Sequence, residues 1–138
     1  MGALLIKENT LISAAEIGVF ASVGASFVKV AKQPKVLIVS TGDELVGVAE
    51  VPLAYQIRKS NVFTLVSLLE RIHVISDTAH ITDDKPLLKS KIAGYLKEYD
   101  VLLFSGAVSK GKFDFLPEIF EELNVEKRFH KVAQRPGK

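Results

Sequence analysis

The sequence predicts an α/β domain, a three-layer α-β-α arrangement on a mostly parallel sheet. Three observations predict it. Val36-Leu37-Ile38-Val39 is a continuous apolar run, as a central strand covered on both faces requires, and it stops in the polar, acidic turn Ser40-Thr41-Gly42-Asp43-Glu44-Leu45. A second apolar run, Val101-Leu102-Leu103-Phe104, ends in the same manner in Ser105-Gly106-Ala107-Val108-Ser109-Lys110-Gly111. Around these runs apolar residues recur at helical spacing, so strands alternate with helices, the pattern of a parallel sheet flanked on both faces.

The elements follow in order. Residues 1–10 are a short apolar-to-polar lead, read as one strand or as the remnant of a preceding domain. Ser13-Ala14-Ala15-Glu16 is a capping box that opens a helix with Ile17, Phe20 and Ala21 on one side and Gly24 as its stop. Phe27-Val28-Lys29-Val30 reads as a short, half-exposed strand, and Pro34 separates it from the first strong strand. Ser60 or Asn61 caps a helix with Val62, Leu65, Val66, Leu69 and Ile72 on one stripe. His73 to Ser76 is the next strand candidate, with His80-Ile81 at its exit. Thr82-Asp83-Asp84-Lys85-Pro86 starts a helix that turns Leu88, Ile92, Tyr95 and Leu96 to the core and Lys89, Lys91 and Lys97 to water. After the strand at 101–104, Pro117 opens a last helix carrying Leu116, Ile119, Phe120 and Leu123. Val125 to Val132 mixes charge and apolar residues like an edge strand, with Phe129 and His130 on it.

The expected organisation is an attachment segment, 1–34, and a main domain, 35–138. The chain of 138 residues is 48 % hydrophobic and 25 % charged, an ordinary globular composition able to bury a core. Its net charge of +2 does not argue for a nucleic-acid or membrane partner. With no cysteine there are no disulfides and no thiolate metal sites. No apolar run approaches the roughly 20 residues of a membrane span. The first residues lack a secretory signal's basic and apolar regions, so the cytoplasm is the default expectation.

In such a fold the carboxyl ends of the strands converge on one rim, where ligands bind. Asp43 and Glu44 come from the first strand, His80, Asp83 and Asp84 from the second, and Ser105, Gly106, Ser109 and Asp114 from the third. Gly106 and Gly111 allow close backbone approach to an anion. Carboxylates cannot hold a phosphate directly and would act through Mg²⁺, while Lys110 or Lys112 could offer a positive charge. Simpler readings stand beside these: Asp83 and Asp84 as helix caps, and Ser60-Asn61 as another. The loop at 105–111 is neither a Walker loop nor a dinucleotide fingerprint. His73, His80 and His130 lack metal-ligand spacing and read as surface or hydrogen-bonded histidines.

The motifs together resemble the molybdopterin molybdenumtransferase family, the bacterial MoeA proteins and the C-terminal part of gephyrin. The resemblance covers essentially the whole chain: Ser40-Thr41-Gly42-Asp43-Glu44-Leu45, Ile57-Arg58-Lys59-Ser60-Asn61, Thr82-Asp83-Asp84, Ser105 through Asp114, and Lys131 through Lys138. It implies the molybdopterin-binding fold shared with the adenylyltransferases of the same pathway. It also implies insertion of molybdate into adenylylated molybdopterin with release of AMP, a divalent cation, usually Mg²⁺, and a homodimeric full-length parent. Other molybdenum cofactor biosynthesis proteins are the candidate partners, with no nucleic acid and no membrane. By the same resemblance Asp43, Glu44, Asp84 and Asp114 are the catalytic acids, and Glu44, Asp83 and Asp84 face the metal. Thr41, Gly42, Ser60, Asn61, Ser105, Gly106, Ser109, Pro136 and Lys138 line the substrate. Ala107 departs from the family's second loop glycine, and Lys59 stands where the family commonly has aspartate. The resemblance further implies a main domain truncated at its C-terminus. Adenylyl transfer to molybdopterin and a non-catalytic scaffold role remain as alternatives.

Overall fold

The computed structural model describes residues 3–106, 115–129 and 132–133. The chain divides into two compact units, Met1–Lys32 and Gln33–Lys138. In the first, helix α1 spans Ala14–Ser22. Its start is the expected capping box: the Ala15 N–H donates to Ser13 Oγ at 3.2 Å, and the Ser13 N–H donates to the Glu16 carboxylate at 2.8 Å. Its end is a left-handed closure at Gly24, φ +72°, with the Ala25 N–H donating to the Phe20 carbonyl at 2.9 Å. No strand forms at Phe27–Val30, contrary to expectation. Phe27 is 94 % exposed, and no described strand pairs with the segment; an isolated extended run does not persist without a partner.

The second unit is the α/β domain. Its elements are β1 (Val36–Thr41), β2 (Leu45–Val46), β3 (Ile57–Arg58), α2 (Asn61–Glu70), β4 (Ser76–Ile81), α3 (Lys85–Glu98), β5 (Val101–Ser105) and α4 (Leu116–Glu122). The main sheet has the order β4-β1-β5, all parallel. Every residue of β1 is buried, as the apolar run predicts for a strand flanked on both sides and covered on both faces. Leu37 and Val39 point to one face, where they pack with Leu88 and Ile92 of α3 and Leu116 and Ile119 of α4. The opposite face, that of Ile38 and Ser40, is covered by α2. Asp84 caps α3, its Oδ1 accepting from the Leu87 N–H at 2.7 Å, and Pro86 sits in the first turn. Lys85 bridges Glu118 at 2.6 Å and Glu122 at 3.1 Å, and Lys89 meets Glu122 at 2.6 Å, so the rim of the α3–α4 contact is charge-paired.

Four local expectations are corrected. The strand expected at His73–Ser76 begins instead at Ser76 and takes in His80. Residues 73 and 74 are used to close α2: His73 is left-handed, φ 60°, and the Val74 N–H donates to the Leu69 carbonyl at 3.0 Å. The segment between β1 and α2, to which the sequence assigned no element, contains the short parallel pair β2–β3, held by the Ile57 N–H on the Glu44 carbonyl at 2.9 Å and the Lys59 N–H on the Val46 carbonyl at 3.0 Å. Among the described residues 125–129 no strand forms. Leu96, expected inside, is 41 % exposed.

Candidate functional site

The connection after β1 leaves toward the α2 face, whereas those after β4 and β5 lead to α3 and α4 on the other. The crevice at the carboxyl end of β1 therefore lies where connections diverge, the position at which open α/β sheets bind ligands. Ser40 and Thr41, the last residues of β1, are each 2 % exposed. Ser40 is in register with Ser105 on β5 and with His80 on β4. Two glycines then bring backbone close together. Gly42 has φ +126°, and a Cβ there would lie 2.5 Å from Glu44 Oε2; Gly106 has φ +100°, and a Cβ there would lie 2.8 Å from the Thr41 carbonyl oxygen. Both positions favour glycine for conformation, and Gly106 also for space, since its neighbour is backbone whereas the Glu44 carboxylate can swing aside.

The β2–β3 pair carries residues 57–61 back toward this end. Thr41, Glu44, Ser105 and Gly106 consequently line a cavity of about 140 Å³ together with Arg58, Lys59, Ser60 and Asn61. The first turn of α2 borders the cavity, and Ser60 makes no side-chain cap, which leaves the helix's positive end and its amides available to an anion. Lys59 adds a cation. Arg58 Nε donates to the Val48 carbonyl at 3.0 Å, which ties the connection between β2 and β3 to its own end. Thr41 Oγ1 is buried without a hydrogen-bond partner among the described residues, an arrangement that costs about 1–3 kcal/mol unless a ligand or water satisfies it. The combination suits an oxyanion such as phosphate.

The acidic side lies across β4. Asp43 Oδ1 accepts from the Asp83 N–H at 3.2 Å, so the turn after β1 grips the turn after β4. Burial, then the carboxylates of Asp43 and Glu44, push the Asp83 pKa up, although the backbone amide of Asp43 acts the other way. The sign of its effect on stability follows. The folded state holds the Asp83 proton more tightly than the unfolded chain, so this group's ionisation costs stability as pH rises from the usual 3.8 through the raised value. Asp83→Asn is therefore expected to raise the melting temperature at pH 7 and to lose that gain at pH 3; an equal shift at both would reject the charge origin.

No set of three histidine, aspartate or glutamate side chains closes into a metal site among the described residues. Of the expected metal-facing set, Asp84 is engaged as the α3 cap, while Glu44 and Asp83 remain on the same acidic side as Asp43. Mg²⁺ commonly takes only one or two protein carboxylates and completes its shell with water and substrate phosphates. The mutual repulsion of Asp43, Glu44 and Asp83 fits a hydrated cation of that kind.

Of the residues read from the sequence, Thr41, Glu44, Ser60, Asn61, Ser105 and Gly106 meet at one cavity, Gly42 lies beneath the Glu44 carboxylate, and Asp43 and Asp83 join adjacent turns. Ser109, Asp114, Pro136 and Lys138 lie outside the described residues, as do Ala107, Lys110, Lys112 and His130. Sequence reasoning put His80 on the ligand-binding rim but did not single out Ser40, Arg58 and Lys59 as site residues. The signal available for Arg58 and Lys59 was a basic pair immediately ahead of a helix cap.

Residues 37–138 match the family model of the probable molybdopterin binding domain. The chain is 38 % identical over 138 residues to the molybdopterin molybdenumtransferase of Synechocystis sp., covering 99 % of this chain and 35 % of the relative. It is 36 % identical over 139 residues to that of Staphylococcus aureus strain MRSA252, covering 99 % and 33 %. The chain thus spans about a third of the length of the curated relatives it matches. The crystal structure of the molybdopterin biosynthesis MoeA protein from Pyrococcus horikosii superposes with a TM-score of 0.73 at 28 % identity, over 88 % of this chain and 30 % of that one. A parallel α/β sheet, matched in sequence from residue 37 to residue 138, places this chain in the molybdopterin-binding domain family.

Proposed function

We propose that this domain binds the phosphate-bearing part of adenylylated molybdopterin and serves insertion of molybdate with release of AMP in molybdenum cofactor biosynthesis. The observation that carries the reading is the cavity where the uncapped start of α2, Lys59 and the Thr41–Gly106 backbone approach meet. Its donors would hold phosphate oxygens while the ligand's reacting end projects toward the acidic turns after β1 and β4. Orientation and charge stabilisation are the contributions such a site makes. Asp43, Glu44 and Asp83 would hold Mg²⁺ through one or two carboxylates and water, and the bound ion would neutralise charge on the phosphate oxygens. Asp84, spent on the α3 cap, contributes by fixing the turn that carries Asp83.

Calorimetric titration of adenylylated molybdopterin with Mg²⁺ into this chain tests the reading. The Asp43→Asn, Glu44→Gln double variant is expected to bind about tenfold or more weakly, since a charged interaction contributes roughly 1.5–3 kcal/mol. Equal affinity of chain and variant would remove the acidic side from the site. In the full-length protein, molybdate-dependent AMP release without ATP-dependent adenylylation is the expected activity; the reverse result would assign the chain to adenylyl transfer.

A further inference from the structure

We propose that Lys59 takes the place of a divalent cation in the cavity at the end of β1: a single phosphoryl group binds there without Mg²⁺, and a cation is recruited only by a second phosphoryl group that reaches the turns after β1 and β4. The inference rests on the phosphate reading of that cavity. Lys59, Arg58 and Glu44 line the cavity, whereas Asp43 and Asp83 do not. Those two belong to adjoining turns, the Asp83 N–H donating to Asp43 Oδ1 at 3.2 Å. Of the three carboxylates suited to a cation, only Glu44 therefore borders the space where the phosphoryl group sits.

The cavity carries enough positive charge for one phosphoryl group. The ion pairs among the described residues are those of Lys85, Lys89 and Arg128, so the Lys59 ammonium is not spent on a carboxylate there. Its field reaches the strand ends: burial first, then Lys59, hold the His80 imidazole below its usual 6.5, and that ring is hydrogen-bonded to Ser40 Oγ at 3.0 Å. Arg58 offsets Glu44 within the same lining. The start of α2, a helix of 10 residues with no side-chain cap, adds roughly half a positive charge. Lys59 and the helix end together approach the charge of a phosphate ester near pH 7, about −1.5 to −2. Thr41 supplies a neutral partner: it is 2 % exposed, it lines the cavity, and its Oγ1 has no hydrogen-bond partner among the described residues. Space points the same way. Mg²⁺ keeps several waters of roughly 30 Å³ each, and a cavity of about 140 Å³ has no room for such an ion beside a phosphoryl group.

Inorganic phosphate carries one phosphoryl group and inorganic pyrophosphate two. Each is titrated into the ¹⁵N-labelled chain, once in EDTA and once in excess Mg²⁺, and followed by amide shifts. Phosphate is expected to shift residues 59–61 and 105–106 with affinities that agree within twofold in the two buffers. Pyrophosphate is expected to bind at least tenfold more tightly with Mg²⁺, which adds shifts at residues 43, 44 and 83. Lys59→Met is expected to weaken phosphate at least tenfold, with no recovery in Mg²⁺, and Lys59→Arg to keep it within about threefold, since the charge is what binds. Phosphate binding that requires Mg²⁺, or a Lys59→Met variant that binds like the parent, overturns the inference and leaves the phosphate reading standing. Pyrophosphate affinity indifferent to Mg²⁺ overturns the recruitment of the cation. Neither probe shifting residues 59–61 or 105–106 in either buffer overturns the phosphate reading itself. Should Lys59→Met fail to fold, the comparison of buffers on the unaltered chain decides.

Discussion

Gly106→Val is expected to abolish pyrophosphate binding and to cost about 2–3 kcal/mol of stability. Two separate penalties converge. A side chain at φ +100° is strained wherever it points, worth roughly 1–3 kcal/mol for such sparsely populated backbone. The added Cβ would also meet the Thr41 carbonyl oxygen at 2.8 Å. That oxygen belongs to Thr41, which is paired with Ile81 of β4 and follows directly on the Ser40–Ser105 pair, so it cannot step aside without disturbing the strand ends. Whatever relaxation occurs opens the gap between β1 and β5 at the floor of the cavity. Urea unfolding reads the stability loss, and calorimetry on the folded variant reads the binding. A folded Gly106→Val that binds pyrophosphate like the parent would show that the close approach of the two strand ends does not shape the site.

Lys59→Glu is expected to weaken adenylylated molybdopterin by about 10- to 100-fold while leaving the fold intact. A charge-assisted hydrogen bond contributes roughly 1.5–3 kcal/mol, and the substitution replaces attraction by repulsion at the wall of the cavity. The backbone role of Lys59, its N–H on the Val46 carbonyl, is untouched by the exchange. A second readout reports the local charge. Lys59 depresses the His80 pKa, after burial, so its reversal should move the His80 titration upward by NMR. Unchanged affinity together with an upward His80 shift would place Lys59 near His80 but outside the binding contacts. An unchanged His80 would contradict the geometry itself.

The central strands and most helices were legible because their signals are local and redundant. The apolar run at 36–39 has one compatible fate, burial on both faces, and the Ser13, Asp84 and Pro86 signals fix helix starts within a residue. β4 was misplaced because it is half exposed: Ser-Asp-Thr-Ala-His-Ile carries little apolar signal, while the better-looking run at 73–75 is taken by the closure of α2. β2 and β3 are two residues each and owe their existence to tertiary pairing, which no local pattern announces. The site followed the same division. Thr41, Glu44, Ser105 and Gly106 were readable as strand ends, but Lys59 reaches the cavity only because β3 folds back along β2. Its departure from the family's usual residue was visible in the sequence, and its consequence was not.

The strand order β4-β1-β5 also governs how the domain is made. β1 pairs with β4 across about forty residues of chain, Val36 with Ser76, and with β5 only across sixty-five, Val36 with Val101. During synthesis one side of this fully buried strand stays open until residue 101 and its neighbours have left the ribosome. An unpaired edge of that composition is a template for association with other chains. Closing it requires the longest loop in the sheet, the kind of contact that sets slow folding rates. The same event brings Ser105 and Gly106 beside Thr41, so the nascent domain acquires the cavity at the end of β1 in the step that ends its exposure to aggregation.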